Sequence, residues 1–139
     1  MRKFEIRNKF EYPNSKSASM PTNDNSKPYD LEERKFQFAK ASRALVKLLP
    51  KTISNVEDAK QFIRASGSIG ANYIEANKCI GKKDFLMKIK TCRREAKETG
   101  YWLRLLNVDG EHEAERQNLV REASEVMKIF GAIVRNSEE

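Results

Sequence analysis

The stretch IRASGSIGANYIE, residues 63–75, places two glycines and two serines inside a segment whose apolar residues otherwise keep a helical period. Glycine costs about 1 kcal/mol relative to alanine in a helix interior. Gly67 and Gly70 therefore imply that another element packs too close there for a larger side chain. On the same helix Arg64, Ser68, Asn72 and Glu75 follow one another at offsets of four, four and three, which stacks a cation, a hydroxyl, an amide and a carboxylate along one face.

Downstream, Phe85, Ile89, Cys92, Ala96, Thr99, Leu103 and Leu106 alternate steps of four and three, a heptad seam. A helix of about 25 residues at 1.5 Å rise is a rod of about 38 Å, and it needs partners of comparable length. Upstream, Asp30 and Glu33 form a capping-box-like start. Leu31, Phe38, Ala41, Leu45, Leu48 and Leu49 then make an apolar stripe that Pro50 stops. A second start falls at Ser54 and Glu57, with Phe62, Ile63, Ile69 and Ile74 on the apolar side, and this helix ends near Asn77 to Gly81. After a turn at Asn107 to Gly110, a fourth helix from about His112 to Asn136 turns Leu119, Ala123, Val126, Met127, Phe130, Ile133 and Val134 inward. Four long helices with short connections predict an all-α, antiparallel up-down-up-down four-helix bundle over residues 30–137.

Residues 1–29 contain Pro13, Pro21 and Pro28 among many Ser and Asn, and they read as a flexible, disordered N-terminal tail. The faint alternation of Phe4, Ile6, Phe10 and Tyr12 lacks a second strand to pair with. Met20 is an alternative translation start to Met1. With 139 residues the chain holds one core. No apolar run is long enough to span a bilayer and no signal peptide opens the sequence, so a cytoplasmic location is expected. Cys79 and Cys92 form neither a CxxC pair nor a disulfide framework and are expected as reduced thiols.

The net charge of +7 is unevenly spread. Residues 51–106 carry twelve basic and six acidic groups, whereas residues 107–139 carry four basic and eight acidic. A basic middle suits phosphate, and an acidic quarter offers a surface for unlike self-association. On the third helix Lys83, Lys90, Arg94, Lys97 and Arg104 keep to one side, flanked by Lys82, Lys88 and Arg93. Such a row gains sequence-independent affinity for a phosphate backbone through counterion release, and Tyr101 and Trp102 near its end are placed to stack on an unpaired base. The ordinary alternative is a solvated outer face with both aromatics in the core or at a subunit contact.

Arg64, Ser68, Asn72, Glu75 and Glu98 read as a structural polar network and not as a catalytic cluster. Arginine is no base at neutral pH, and no histidine is at hand to activate the serine. His112, the sole histidine, reads as an exposed turn residue. A carboxylate-bundle metal site would need two Glu-x-x-His motifs, and two cysteines do not complete a zinc site. Gly67 and Gly70 lack the context of a phosphate-binding loop. No enzyme, cofactor or metal is expected.

SGSIGANYIEA on the second helix, KKDF opening the third and CRREAKETGYWLRLL within it are similar to the four helix bundle proteins first found in intervening sequences of bacterial 23S ribosomal RNA. The family's SI-x-x-N-x-x-E pattern falls on Ser68, Ile69, Asn72 and Glu75, its preceding arginine on Arg64, and its third-helix glutamate on Glu98. Two positions depart. Glu95 stands where a small serine is usual, and Ala76 and Asn77 stand where a glycine is common. The resemblance implies a bundle that assembles as a homopentamer. One related branch, the accessory proteins of diversity-generating retroelements, implies RNA or DNA and a reverse transcriptase as partners. A protein–protein scaffold with no physiological nucleic-acid ligand is the competing reading.

Overall fold

In the computed structural model, which describes residues 28–138, four helices follow one another: α1 Pro28–Val46, α2 Ile53–Asn77, α3 Lys82–Leu105 and α4 Glu113–Glu138. Each packs against its neighbours around a ring, α1 on α2, α2 on α3, α3 on α4 and α4 back on α1, and the last contact is the smallest. This is the expected antiparallel bundle. No described helix is long and apolar enough to cross a membrane. The tail and the Phe4–Tyr12 alternation lie outside the described residues, except that Pro28 and Tyr29 already belong to α1. Proline is tolerated there because the first helical positions have no intrahelical acceptor for an N–H. Asp30 is thus inside the first turn and is not the cap.

The second helix also starts earlier than Ser54 and Glu57 suggested. Thr52 caps it, its hydroxyl accepting from the Asn55 N–H at 3.1 Å. The buried Asn55 side chain then donates to Pro50 O at 2.9 Å and Asn107 O at 3.0 Å, and accepts from the Asn107 N–H at 2.9 Å. One amide thereby ties together the two loops at this end of the bundle. The last turn of α3 is finished from α4, where Arg116 donates to Leu103 O at 3.0 Å and Leu106 O at 2.6 Å while Glu113 holds its guanidinium. Carbonyls that a helix end leaves unpaired are satisfied in this way.

The heptad residues Ile89, Cys92, Ala96, Thr99, Leu103 and Leu106 are buried as expected, with Phe85 partly so. They meet Phe38, Phe62, Ile69, Val126 and Phe130 in the core. Two residues expected in the core are exposed, and Ile63 of α2, also expected there, is only half-buried. Ile74 is 42% exposed, because α2 turns a stripe of Ala59, Ala65, Ser66, Tyr73 and Ala76 inward. Leu48 is 44% exposed, because α1 ends at Val46 and the turn that follows breaks the helical phase. The glycines mark the α1–α2 crossing. A Cβ on Gly70 would lie 3.2 Å from the Cβ of Lys35, and one on Gly67 would lie 3.3 Å from a guanidinium nitrogen of Arg43. The first obstacle is fixed to a helix backbone; the second is the mobile end of an exposed side chain.

Charged residues also occupy the interior of α1. Arg34 forms a two-point pair with Glu122 of α4, at 2.6 and 2.8 Å, and both side chains are buried. Lys35 is fully buried, its ammonium 5.4 Å from the centre of the Phe130 ring and without a hydrogen-bond partner among the described residues. Burial first, and then the neighbouring Arg34, push its pKa down to about 7 against the opposing influence of Glu122 from α4 and the Cys92 thiol from α3.

Removing one member of a buried ion pair strands the other charge, at a cost of about 3–5 kcal/mol. Glu122→Ala is therefore expected to lower the urea unfolding free energy by about that amount, and the double change Arg34→Met with Glu122→Leu to recover most of it. Lys35 gives a pH signature. Between its folded pKa of about 7 and its unfolded value of 10.5 the unfolded chain holds the proton and the folded chain does not. Stability contributed by this group rises with pH across that window, by at most about 1.4 kcal/mol per pH unit, and is flat below it. In urea melts at a series of pH values, Lys35→Met is expected to remove the rise and to be the more stable protein at neutral pH.

Candidate nucleic-acid interface

Because the heptad seam of α3 faces inward, the opposite face carries its cations outward. Lys90, Arg94 and Lys97 are exposed and Arg93 half-buried. These four come together with Lys128 and Arg135 of α4 along an open groove of about 750 Å³ between the two helices. Its lining among the described residues includes Met127 and Gly131 but no carboxylate. A Cβ on Gly131 would sit at ordinary contact distance, 3.7 Å from Arg135 and 3.8 Å from Arg93, so the glycine is not forced by crowding. Its effect is to leave the groove floor free of a side chain between the two cations.

The other expected basic residues lie elsewhere. Lys82 and Lys83 are exposed in the first turn of α3, and Arg104 is exposed in its last. Lys88 points to the α2 side and pairs with Glu75 at 2.7 Å. The hydrogen bond between them, more than their coulombic attraction, lowers the Glu75 pKa and raises that of Lys88. At the rim of the groove Lys90 reaches Glu138 at 3.2 Å, both side chains about half exposed. Exposed pairs of this kind hold little energy and yield readily to a stronger anion.

Lys128 and Arg135 were missed from sequence because α4 lies in the acidic quarter of the chain. Glu113 and Glu115 stand in its first turn, where the α4 dipole favours them, with Glu111 just ahead, whereas Glu122, Glu125 and Glu138 lie further along. The signal was available in the spacing. Lys128, Gly131 and Arg135 stand three and four apart and so share one helix face.

The row Arg64, Ser68, Asn72, Glu75 and Glu98 lies along the α2–α3 junction, but it is not one continuous network. Ser68 donates to Arg64 O at 2.9 Å and Asn72 to Ser68 O at 2.8 Å, each folding back on its own helix. At one end Arg64 approaches both Glu98 and the buried Glu95 at 3.6 Å; at the other Glu75 meets Lys88. A helical side chain whose carbonyl four residues back is within reach has a nearer acceptor than its neighbour's side chain.

Cys79 and Cys92 are free thiols, and burial raises the Cys92 pKa to about 12. His112 is half-buried in the short turn Gly110–His112 before α4, contrary to the exposed position expected of it. Among the described residues no three His, Cys, Asp or Glu side chains gather as a metal site would require.

The fold is a four-helix bundle with six basic side chains lining a groove on its α3–α4 side. The chain belongs to the family of 23S rRNA-intervening sequence proteins, whose model matches residues 29–132. It is similar to the 1.70 Å crystal structure of a protein with unknown function from the S23 ribosomal protein family of Bacteroides thetaiotaomicron VPI-5482, with 28% identity and a TM-score of 0.64 over 75% of this chain and 97% of that one. Comparison with curated proteins gives no match.

Proposed function

We propose that this protein is a non-enzymatic binder of the nucleic-acid phosphate backbone, and that the α3–α4 groove is where the backbone lies. The observation that carries the reading is the convergence of six cations from two helices on one groove with no lining carboxylate among the described residues. A solvated helix face would scatter lysines among acids, as α2 does with Glu57 and Lys60. The resemblance to retroelement accessory proteins makes structured RNA the first probe. In a ring of subunits, as the resemblance implies, each copy would add another such groove, and several weak contacts on one strand would sum to a strong one.

Fluorescence anisotropy with a structured RNA and a duplex DNA tests this. If the six cations each neutralise a phosphate, affinity falls about a thousandfold between about 50 and about 200 mM salt. Changing Lys128 and Arg135 together to Gln is expected to weaken binding to both nucleic acids and to lower the slope of log affinity on log salt by about two. No binding at the lower salt, or a slope untouched by these substitutions, would overturn the reading and favour a scaffold that docks an acidic protein.

A further inference from the structure

On the other side of the same cations lies a second open groove, of about 560 Å³, between α2 and α3. Glu98, Tyr101 and Trp102 line its α3 side, and Gln61 and Arg64 its α2 side. Arg94 and Lys97 line both grooves. Tyr101 is 55% exposed, while Trp102 is partly buried against the core. The two rings meet edge to face, with centroids 5.1 Å apart and planes at 78°. Trp102 thereby braces a tyrosine that itself remains open to solvent. From the α2 side the Arg64 guanidinium stands 3.6 Å from the half-exposed Glu98 of α3, so the Gln61 amide and the Glu98 carboxylate share the groove with the aromatic pair.

We infer that this α2–α3 groove is a nucleobase subsite, in which an unpaired base stacks on Tyr101 while its phosphate is held by Arg94 and Lys97. The inference rests on the phosphate-binding reading above and adds the class of nucleic acid to it. Lys97 and Tyr101 are one helical turn apart, a rise of about 6 Å, which matches the reach from a phosphate to the base of the same nucleotide. Aromatic rings bind any base through its π-face, and the Gln61 amide and Glu98 carboxylate in the same groove offer acceptors to ring N–H and exocyclic amino groups. In a continuous duplex the bases are stacked inside and out of reach. A single strand, loop or bulge exposes them. The geometry therefore favours unpaired segments over uniform duplex.

Trp102 is the chain's one tryptophan, so its emission reports on this groove directly. The experiment titrates the full chain at low salt with a single-stranded oligouridine of about ten nucleotides, with a fully paired RNA duplex of equal phosphate number, and with polyglutamate, following both anisotropy and Trp102 fluorescence. The single strand is expected to quench Trp102 and the duplex to leave it unchanged. Tyr101→Ala is expected to weaken single-strand binding about tenfold with duplex binding unaltered, and Tyr101→Phe to retain the wild-type affinity. Equal losses for both nucleic acids in Tyr101→Ala, no loss for either, or a Trp102 response to polyglutamate equal to that with RNA would overturn the base subsite while leaving the phosphate groove standing. If neither nucleic acid binds, both readings fall together.

Discussion

The close approach of α1 to α2 at Gly70 is the constraint on which the rest of this bundle depends. With a Cβ at that position only 3.2 Å from Lys35, the two helices meet at a distance that a larger residue would not allow. Lys35 is consequently sealed against Phe130, and the adjacent Arg34 is carried inward to reach Glu122 across the smallest of the four helix contacts. One glycine on α2 thus bears on how α1 closes against α4. The cost is one lysine and one ion pair in an interior that apolar residues would fill more cheaply.

Closure of the ring from the α1 side leaves the outer face of α3 uncovered. Its inward seam is occupied by Ile89, Cys92, Ala96, Thr99 and Leu103, so Lys90, Arg94 and Lys97 have only solvent and the neighbouring edges of α2 and α4 to meet. On the α4 edge they find two further cations, and on the α2 side Tyr101, Trp102 and Glu98 of their own helix beside Gln61 and Arg64 of α2. The same helix therefore separates the groove proposed for phosphate from the one proposed for a base. The acidic start of α4 is tied up locally, as Glu113 holds Arg116 and Gln117 with its pKa lowered chiefly by the Arg116 hydrogen bond. Those carboxylates are among the residues of the opposite end of α4 from Lys128 and Arg135, and none lines the groove.

Much of the fold was legible because a period of hydrophobic residues is a property of sequence. The α3 heptad and the inward face of α4 read directly, and Gly67 and Gly70 announced a close crossing. What escaped was whatever depends on a partner. Arg34, Lys35 and Glu122 are charged, and nothing in a linear pattern says that two of them pair in the core and that the third is buried without a hydrogen bond. Ile74 and Leu48 were placed inside because they are apolar, although small residues on α2 and an early end to α1 turned them out. At the candidate interface, the α3 cations were visible from sequence, but only the tertiary arrangement shows that Lys88 turns away to Glu75 and that α4 contributes Lys128 and Arg135. A regional charge of the wrong sign hid the last two.

The most direct measurement is a lysine footprint: brief acetylation of the protein with and without structured RNA at about 50 mM salt, read by peptide mass spectrometry. Protection confined to Lys90, Lys97 and Lys128, with the exposed Lys40, Lys47 and Lys60 on other faces modified as in the free protein, is the result the account predicts. Uniform modification of all six, or protection on α1 and α2 in place of the α3–α4 groove, would contradict it.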